Sequence, residues 1–130
     1  MPHVLVIDDE PTIRSTLGRF FTREGWEVTT CADAAEAMTV LAHPDRPDFA
    51  LVLCDARLPG ASGAEFHATL AREDAALAAR LVIITGDPFG ATGTGPDAGV
   101  LPILEKPFEF ETLRQLMRAR ATDASRTLTP

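Results

Sequence analysis

Short unbroken apolar runs alternate along this chain with stretches in which apolar residues recur every three or four positions. The first run, Val4-Leu5-Val6-Ile7, ends in Asp8-Asp9. Continuous apolarity without alternation predicts a strand covered on both faces, as in a parallel sheet. Pro11 suits the first turn of a helix, where its missing N–H is not needed. Ile13, Leu17, Phe20 and Phe21 follow at helical spacing, and Gly25 can end that helix. Trp26 to Cys31 predicts a second strand, outer because its alternation is weaker. Asp33 and Glu36 have capping-box spacing and open a helix through Ala37, Met38 and Leu41, which Pro44 cannot continue. Phe49 to Cys54 is the third strand, ending at Asp55. Leu58-Pro59-Gly60 is a turn, and Ser62 with Glu65 opens a helix through Phe66 and Leu70. Leu81 to Ile84 is the fourth strand, ending at Thr85, and Leu101 to Leu104 the fifth, ending at Glu105-Lys106-Pro107. A last helix spans 109–120, with Phe110, Leu113, Leu116 and Met117 inward, and 121–130 is a polar tail.

Strands separated by helical stretches imply βαβ units, so the fold class is α/β, a doubly wound five-stranded parallel sheet. Right-handed crossovers place helices on both faces, and ligands bind at the carboxyl ends of the strands near a switch in strand order. One domain covers 1–120, and 121–130 is a tail or linker.

Composition narrows the function classes. A hydrophobic fraction of 45% excludes a disordered chain. No apolar run reaches the ~18 residues of a membrane helix, and Met1-Pro2-His3 does not begin a signal peptide, so the expectation is a cytoplasmic protein with no membrane partner. A net charge of −7 argues against direct nucleic-acid binding by this domain. Cys31 and Cys54 are too few for a disulfide scaffold or a thiolate zinc site and read as buried core thiols. His3, His43 and His67 have no metal-ligand spacing. Of 12 cations, Lys106 is the single lysine.

The chemistry gathers at the strand ends. On a parallel sheet, Asp8, Asp9, Asp55, Thr85 and Lys106 all lie on one edge. Taken singly, an acid at a strand end reads as a cap or turn residue, Thr85 as a turn hydroxyl and Lys106 as a solvated cation. Together, three carboxylates repel one another unless something cationic sits among them, and a hard divalent ion with oxygen ligands beside Lys106 resolves this.

These residues resemble the receiver domains of two-component response regulators. The matching motifs are Asp8-Asp9-Glu10-Pro11, Asp55 followed by Leu58-Pro59-Gly60, Thr85-Gly86 and Lys106-Pro107-Phe108, over roughly residues 3–120. The resemblance implies the flavodoxin-like receiver fold. It implies that Asp55 is the phosphoacceptor for a histidine kinase or phosphotransfer protein. Mg²⁺ is then held by Asp9, Asp55 and the backbone carbonyl of Arg57, with Asp8 acting on it through water. Thr85 and Lys106 contact phosphoryl oxygens. The domain is then a signalling phosphoacceptor and not an enzyme acting on a separate substrate. The alternatives are a pseudo-receiver interaction module and an aspartyl-phosphate phosphatase. The phosphatase class carries a second Asp two residues after its nucleophile, where this chain has Arg57.

Two features depart from the family. Ile103 stands where Tyr or Phe usually lies three residues before the site lysine. Residues 88–99, PFGATGTGPDAG, fall where the family has its fourth helix, yet they hold helix breakers and no apolar stripe. The expectation is a degraded or mobile fourth helix, with signalling by movement of this segment and not by reorientation of a ring. In the family this face, with the fifth strand and last helix, serves docking and dimerisation, so a homodimer is a candidate assembly. Arg57 and Asp87, each two residues after a strand-end site residue, are expected to meet above the site if those strands adjoin.

Overall fold

The computed structural model describes residues 2–85, 103–105, 111–115 and 118. In chain order these form β1 (His3–Ile7), α1 (Pro11–Arg23), β2 (Glu27–Cys31), α2 (Ala34–Ala42), β3 (Leu51–Asp55), β4 (Arg57–Leu58), β5 (Ala61–Ser62), α3 (Gly63–Glu73), α4 (Ala75–Ala78), β6 (Leu81–Thr85) and β7 (Ile103–Glu105). Residues 111–115 and 118 are helical. The expected fourth-helix segment at 88–99, together with Lys106 and Asp87, lies outside the described residues.

The main sheet has the order β2-β1-β3-β6-β7, and every neighbouring pair is parallel. From β1 the chain crosses outward to β2 on one side; from β3 it winds through β6 to β7 on the other. The strand order therefore reverses between β1 and β3, which opens a crevice at their carboxyl ends.

Alternation along β1 divides the core. Val4 and Val6 pack with Leu17, Phe20, Phe21, Trp26 and Leu113, so α1 and the last helix cover one face. Leu5 and Ile7 pack with Ala37, Phe66, Leu70 and Leu77, so α2, α3 and α4 cover the other. β1, β3 and β6 are buried almost throughout, which explains their unbroken apolar runs.

Local signals set the element ends. Gly25 has φ +87, a conformation costly for any residue with a Cβ. Its N–H donates to the Thr22 carbonyl at 3.1 Å, and the Trp26 N–H donates to the Phe21 carbonyl at 2.9 Å. This is a Schellman ending, and its apolar contact is the Phe21–Trp26 ring pair, 5.5 Å apart. Trp26, expected in the second strand, instead closes this helix end and enters the core, so β2 begins at Glu27. The Asp33 carboxylate accepts from the Glu36 N–H at 2.8 Å, and the Ser62 hydroxyl from the Glu65 N–H at 3.0 Å, as the capping-box spacings predict. The third strand begins at Leu51, two residues after the start of its apolar run; Phe49 and Ala50 are buried before it, and the Ala50 N–H donates to the His3 carbonyl at 2.9 Å.

Three short elements, β4, β5 and α4, were not foreseen. Pro59-Gly60, with Gly60 at φ +77, reverses the chain so that β4 and β5 form a two-residue antiparallel ribbon. Asp74 opens the short α4 by accepting from the Leu77 N–H at 3.1 Å, and Arg46 holds the same carboxylate at 2.9 Å. Among the described residues, no helix is long and apolar enough to cross a membrane.

His3 ties β1 to the outer strand. Its Nε2 lies 2.8 Å from the Thr29 hydroxyl, its Nδ1 lies 3.3 Å from the Glu27 carboxylate, and its ring meets Phe49 edge-on at 5.0 Å. Partial burial lowers its pKa below the ordinary 6.5, and Glu27 opposes that shift without cancelling it. The unfolded chain then binds the His3 proton more readily than the folded one. Its contribution to stability is complete above pH 6.5 and is lost as the pH falls toward the folded value. The urea midpoint should therefore drop as the pH is taken from about 7 to about 5.5, with part of that drop missing in His3→Gln. An identical pH slope in the variant would remove His3 from the account.

Candidate functional site

Register builds the site. Ile7 pairs with Cys54, and Asp55 pairs with Ile84, so Asp8, Asp55 and Thr85 emerge together at the carboxyl edge of β1, β3 and β6. Parallel neighbours stand about 4.8 Å apart, close enough for side chains on adjacent strand ends to meet. Ligand atoms from Asp8, Asp9, Glu10 and Asp55 all lie within 4.8 Å of one another. Asp8 is fully buried, and Asp55 and Thr85 are 8% and 6% exposed, while Asp9 and Glu10 are open to solvent.

The β1–α1 turn is fixed by its own backbone. The Asp8 N–H continues the ladder by donating to the Cys31 carbonyl at 3.1 Å. The Glu10 N–H donates to Asp8 Oδ1 at 2.9 Å, and Arg14, one turn into α1, donates to the Asp8 carbonyl at 2.7 Å. Glu10 is the N-cap of α1, so the helix directs its positive end at the acidic cluster.

On β3, the Arg57 N–H donates to Asp55 Oδ1 at 3.3 Å, and the Ala56 N–H to the Ile84 carbonyl at 2.9 Å. The chain then returns through the β4–β5 ribbon to Gly63, whose N–H donates to the Ala56 carbonyl at 2.8 Å. That return is very close. A Cβ on Gly63 would lie 2.6 Å from the Asp55 carbonyl oxygen and 2.8 Å from the Ile83 side chain.

Of the residues expected at the site, the structure gathers Asp8, Asp9 and Asp55, and ends β6 at Thr85 beside them. Arg57 follows Asp55 with an exposed side chain and its N–H on the Asp55 carboxylate. Lys106 and the expected Arg57–Asp87 contact lie outside the described residues, although the Thr85–Glu105 register stops one residue short of Lys106. Sequence reasoning gave Glu10 no role beyond its motif, although it is the third of three consecutive acids. It also passed over Gly63, whose only signal is its place after the Ser62 cap. Arg14 carried no signal, because its target is a backbone carbonyl.

Cys54 belongs to the core beneath the crevice, and its thiol donates to the Asp55 carbonyl at 3.4 Å. Burial pushes its pKa far up, with Asp55 and Asp8 adding to the shift. Burial, then Glu36 and Asp33, pushes the Cys31 thiol up to about 11. Both sulfurs therefore stay protonated at neutral pH and are poor nucleophiles and poor metal ligands.

An all-oxygen donor set of four clustered carboxylates fits a hard cation such as Mg²⁺ or Ca²⁺, and it lacks the nitrogen or sulfur ligands of a zinc site.

Residues 4–118 match the family model described as the response regulator receiver domain. The chain is similar to the response regulator MprA of Mycobacterium avium, 37% identical over 116 residues that cover 89% of this chain and 49% of that protein. It therefore spans about half the length of the curated relatives it matches. Among solved structures, a response regulator receiver protein from Pseudomonas putida is 26% identical with a TM-score of 0.77, covering 91% of this chain and 96% of that one. The TrrA response regulator of Thermotoga maritima, in complex with Mg²⁺ and BeF, matches with a TM-score of 0.76 at 24% identity, covering 92% and 99%. A CheY-like receiver from Methanospirillum hungatei shares the fold at a TM-score of 0.82 and 20% identity, covering 98% of each chain.

Gly63→Ala tests the close return of the chain. The added methyl has backbone on one side and Ile83 on the other, so relief requires movement of Asp55 itself. The variant should lose about 1–3 kcal/mol in urea denaturation, as for other overpacked sites. Unchanged stability would mean that the β5–α3 junction is loose.

Proposed function

The chain belongs to the response regulator receiver domain family, and from that premise we propose that its acidic crevice takes a phosphoryl group on Asp55. The observation that carries the assignment is the unequal setting of the acids. Asp55 sits at the centre of the edge, between the ends of β1 and β6, almost buried but still reachable, whereas Asp8 is fully enclosed and Asp9 lies open.

In this reading an Asp55 carboxylate oxygen attacks the phosphorus of a histidine kinase phosphohistidine. The P–N bond breaks, its electron pair stays on the imidazole, and an aspartyl phosphate forms. The Arg57 N–H, already on Asp55 Oδ1, holds the carboxylate in place for that attack. The Thr85 hydroxyl donates to one phosphoryl oxygen, and Lys106 neutralises another. Asp9, Asp55 and the Arg57 carbonyl would hold Mg²⁺, with Asp8 behind them acting through water. When bound, the ion supplies positive charge against the phosphoryl oxygens and the crowded carboxylates. Positioning and charge compensation are most of what phosphoryl transfer requires. The domain then acts as a Mg²⁺-dependent signalling phosphoacceptor in the cytoplasm, with a histidine kinase or phosphotransfer protein as its partner.

The test is incubation with Mg²⁺ and phosphoramidate followed by intact mass. One phosphoryl adduct should form on the wild-type chain and be absent from Asp55→Asn. An undiminished adduct on the variant would place the acceptor elsewhere. Absence of any adduct on the wild type would favour a pseudo-receiver, and turnover of a phosphomonoester a phosphatase.

A further inference from the structure

The distal half of α1 carries charge that phosphoryl transfer does not use. Thr16, Arg19 and Arg23 follow one another at spacings of three and four residues and so share one stripe of the helix. With Phe20, Glu24 and Arg114 of the last helix they line a cavity of about 250 Å³, near the lower end of the roughly 300–1,000 Å³ of ligand pockets. Phe20, only 7% exposed, is the apolar part of that lining.

The arginines divide by what they already hold. Arg14 is committed to the Asp8 carbonyl. Arg114 is held by Glu24, lies near Glu111 at 3.8 Å and sits over the Phe20 ring at 5.5 Å, which fixes it as a wall of the cavity. Arg19 and Arg23 are exposed, and among the described residues no hydrogen bond or ion pair engages either guanidinium. Between its caps α1 contains no acid at all, in a chain whose net charge is −7. Two uncommitted guanidinium forks one turn apart, with a hydroxyl donor on the same stripe, match the oxygens of a phosphate better than a single carboxylate.

We propose that this cavity between α1 and the last helix binds a phosphate-bearing small molecule, with Arg19, Arg23 and Thr16 as donors to its oxyanion and Phe20 beneath its apolar part. A helix rises about 1.5 Å per residue, so these arginines lie roughly 12–18 Å along α1 from its acidic end. The site is therefore separate from the Asp55 crevice and does not rest on the phosphoacceptor reading.

The test is a pyrophosphate titration followed by amide chemical shifts, without Mg²⁺ and at constant ionic strength held with chloride. Saturable shifts should centre on residues 16–24. Arg19→Gln/Arg23→Gln, which alters only exposed side chains, should keep its melting temperature and bind at least tenfold more weakly. Arg19→Lys/Arg23→Lys, which keeps the charge and loses the fork, should fall between the two. Shifts that do not saturate, or equal binding by the glutamine variant, would overturn the proposal. Tighter binding of hexaglutamate than of pyrophosphate would also overturn it, and would assign the groove to an acidic protein segment.

Discussion

Carboxylates held against one another set the terms for the rest of this molecule. Four acids each bring one carboxylate oxygen to within 4.8 Å of the others, and one of the four is fully buried. Such a cluster opposes folding through like-charge repulsion and desolvation. It persists because the backbone around it has little freedom. β1 and β3 are central strands buried on both faces, so neither can slip register without exposing its apolar side chains. The core supplies the free energy, and the strand ends carry the charge.

Among the described residues, backbone groups turn positive ends toward the cluster. The Glu10 and Arg57 N–H groups donate to the Asp8 and Asp55 carboxylates, and α1 turns its N-terminus toward them. Arg14 donates to the Asp8 carbonyl, which steadies the turn without neutralising a carboxylate. An all-oxygen cluster of this kind fits a hard cation. Gly63 has a steric role, because only a residue without a Cβ lets α3 start against the Asp55 carbonyl.

Much of this was legible in the sequence, for physical reasons. Val4–Ile7 and Leu81–Ile84 read as buried strands because strands covered on both faces need no polar alternation. Gly25 marked a helix end because its φ is positive, and Asp33 and Ser62 marked helix starts through short-range hydrogen bonds. The acids of the site could be placed once the sheet was known to be parallel, since every strand then ends on the same edge. What escaped depended on contacts distant in sequence or on backbone targets. Trp26 looked like a strand residue until its packing on Phe21 was seen, and Arg14 looked like any surface cation. The β4–β5 ribbon is only two residues long on each side, too short for any periodicity to register.

Crowded carboxylates repel one another unless a cation neutralises them, so this edge should be a measurable cost to stability. The most direct measurement compares the melting temperatures of the wild type and Asp9→Asn, each with and without Mg²⁺ at low ionic strength. Without Mg²⁺, the variant should melt above the wild type, because one of the clustered charges is gone. With Mg²⁺, the wild type should gain stability by mass action and the variant should gain little. A variant that melts at or below the wild type without metal, or that gains as much from Mg²⁺, would contradict the account.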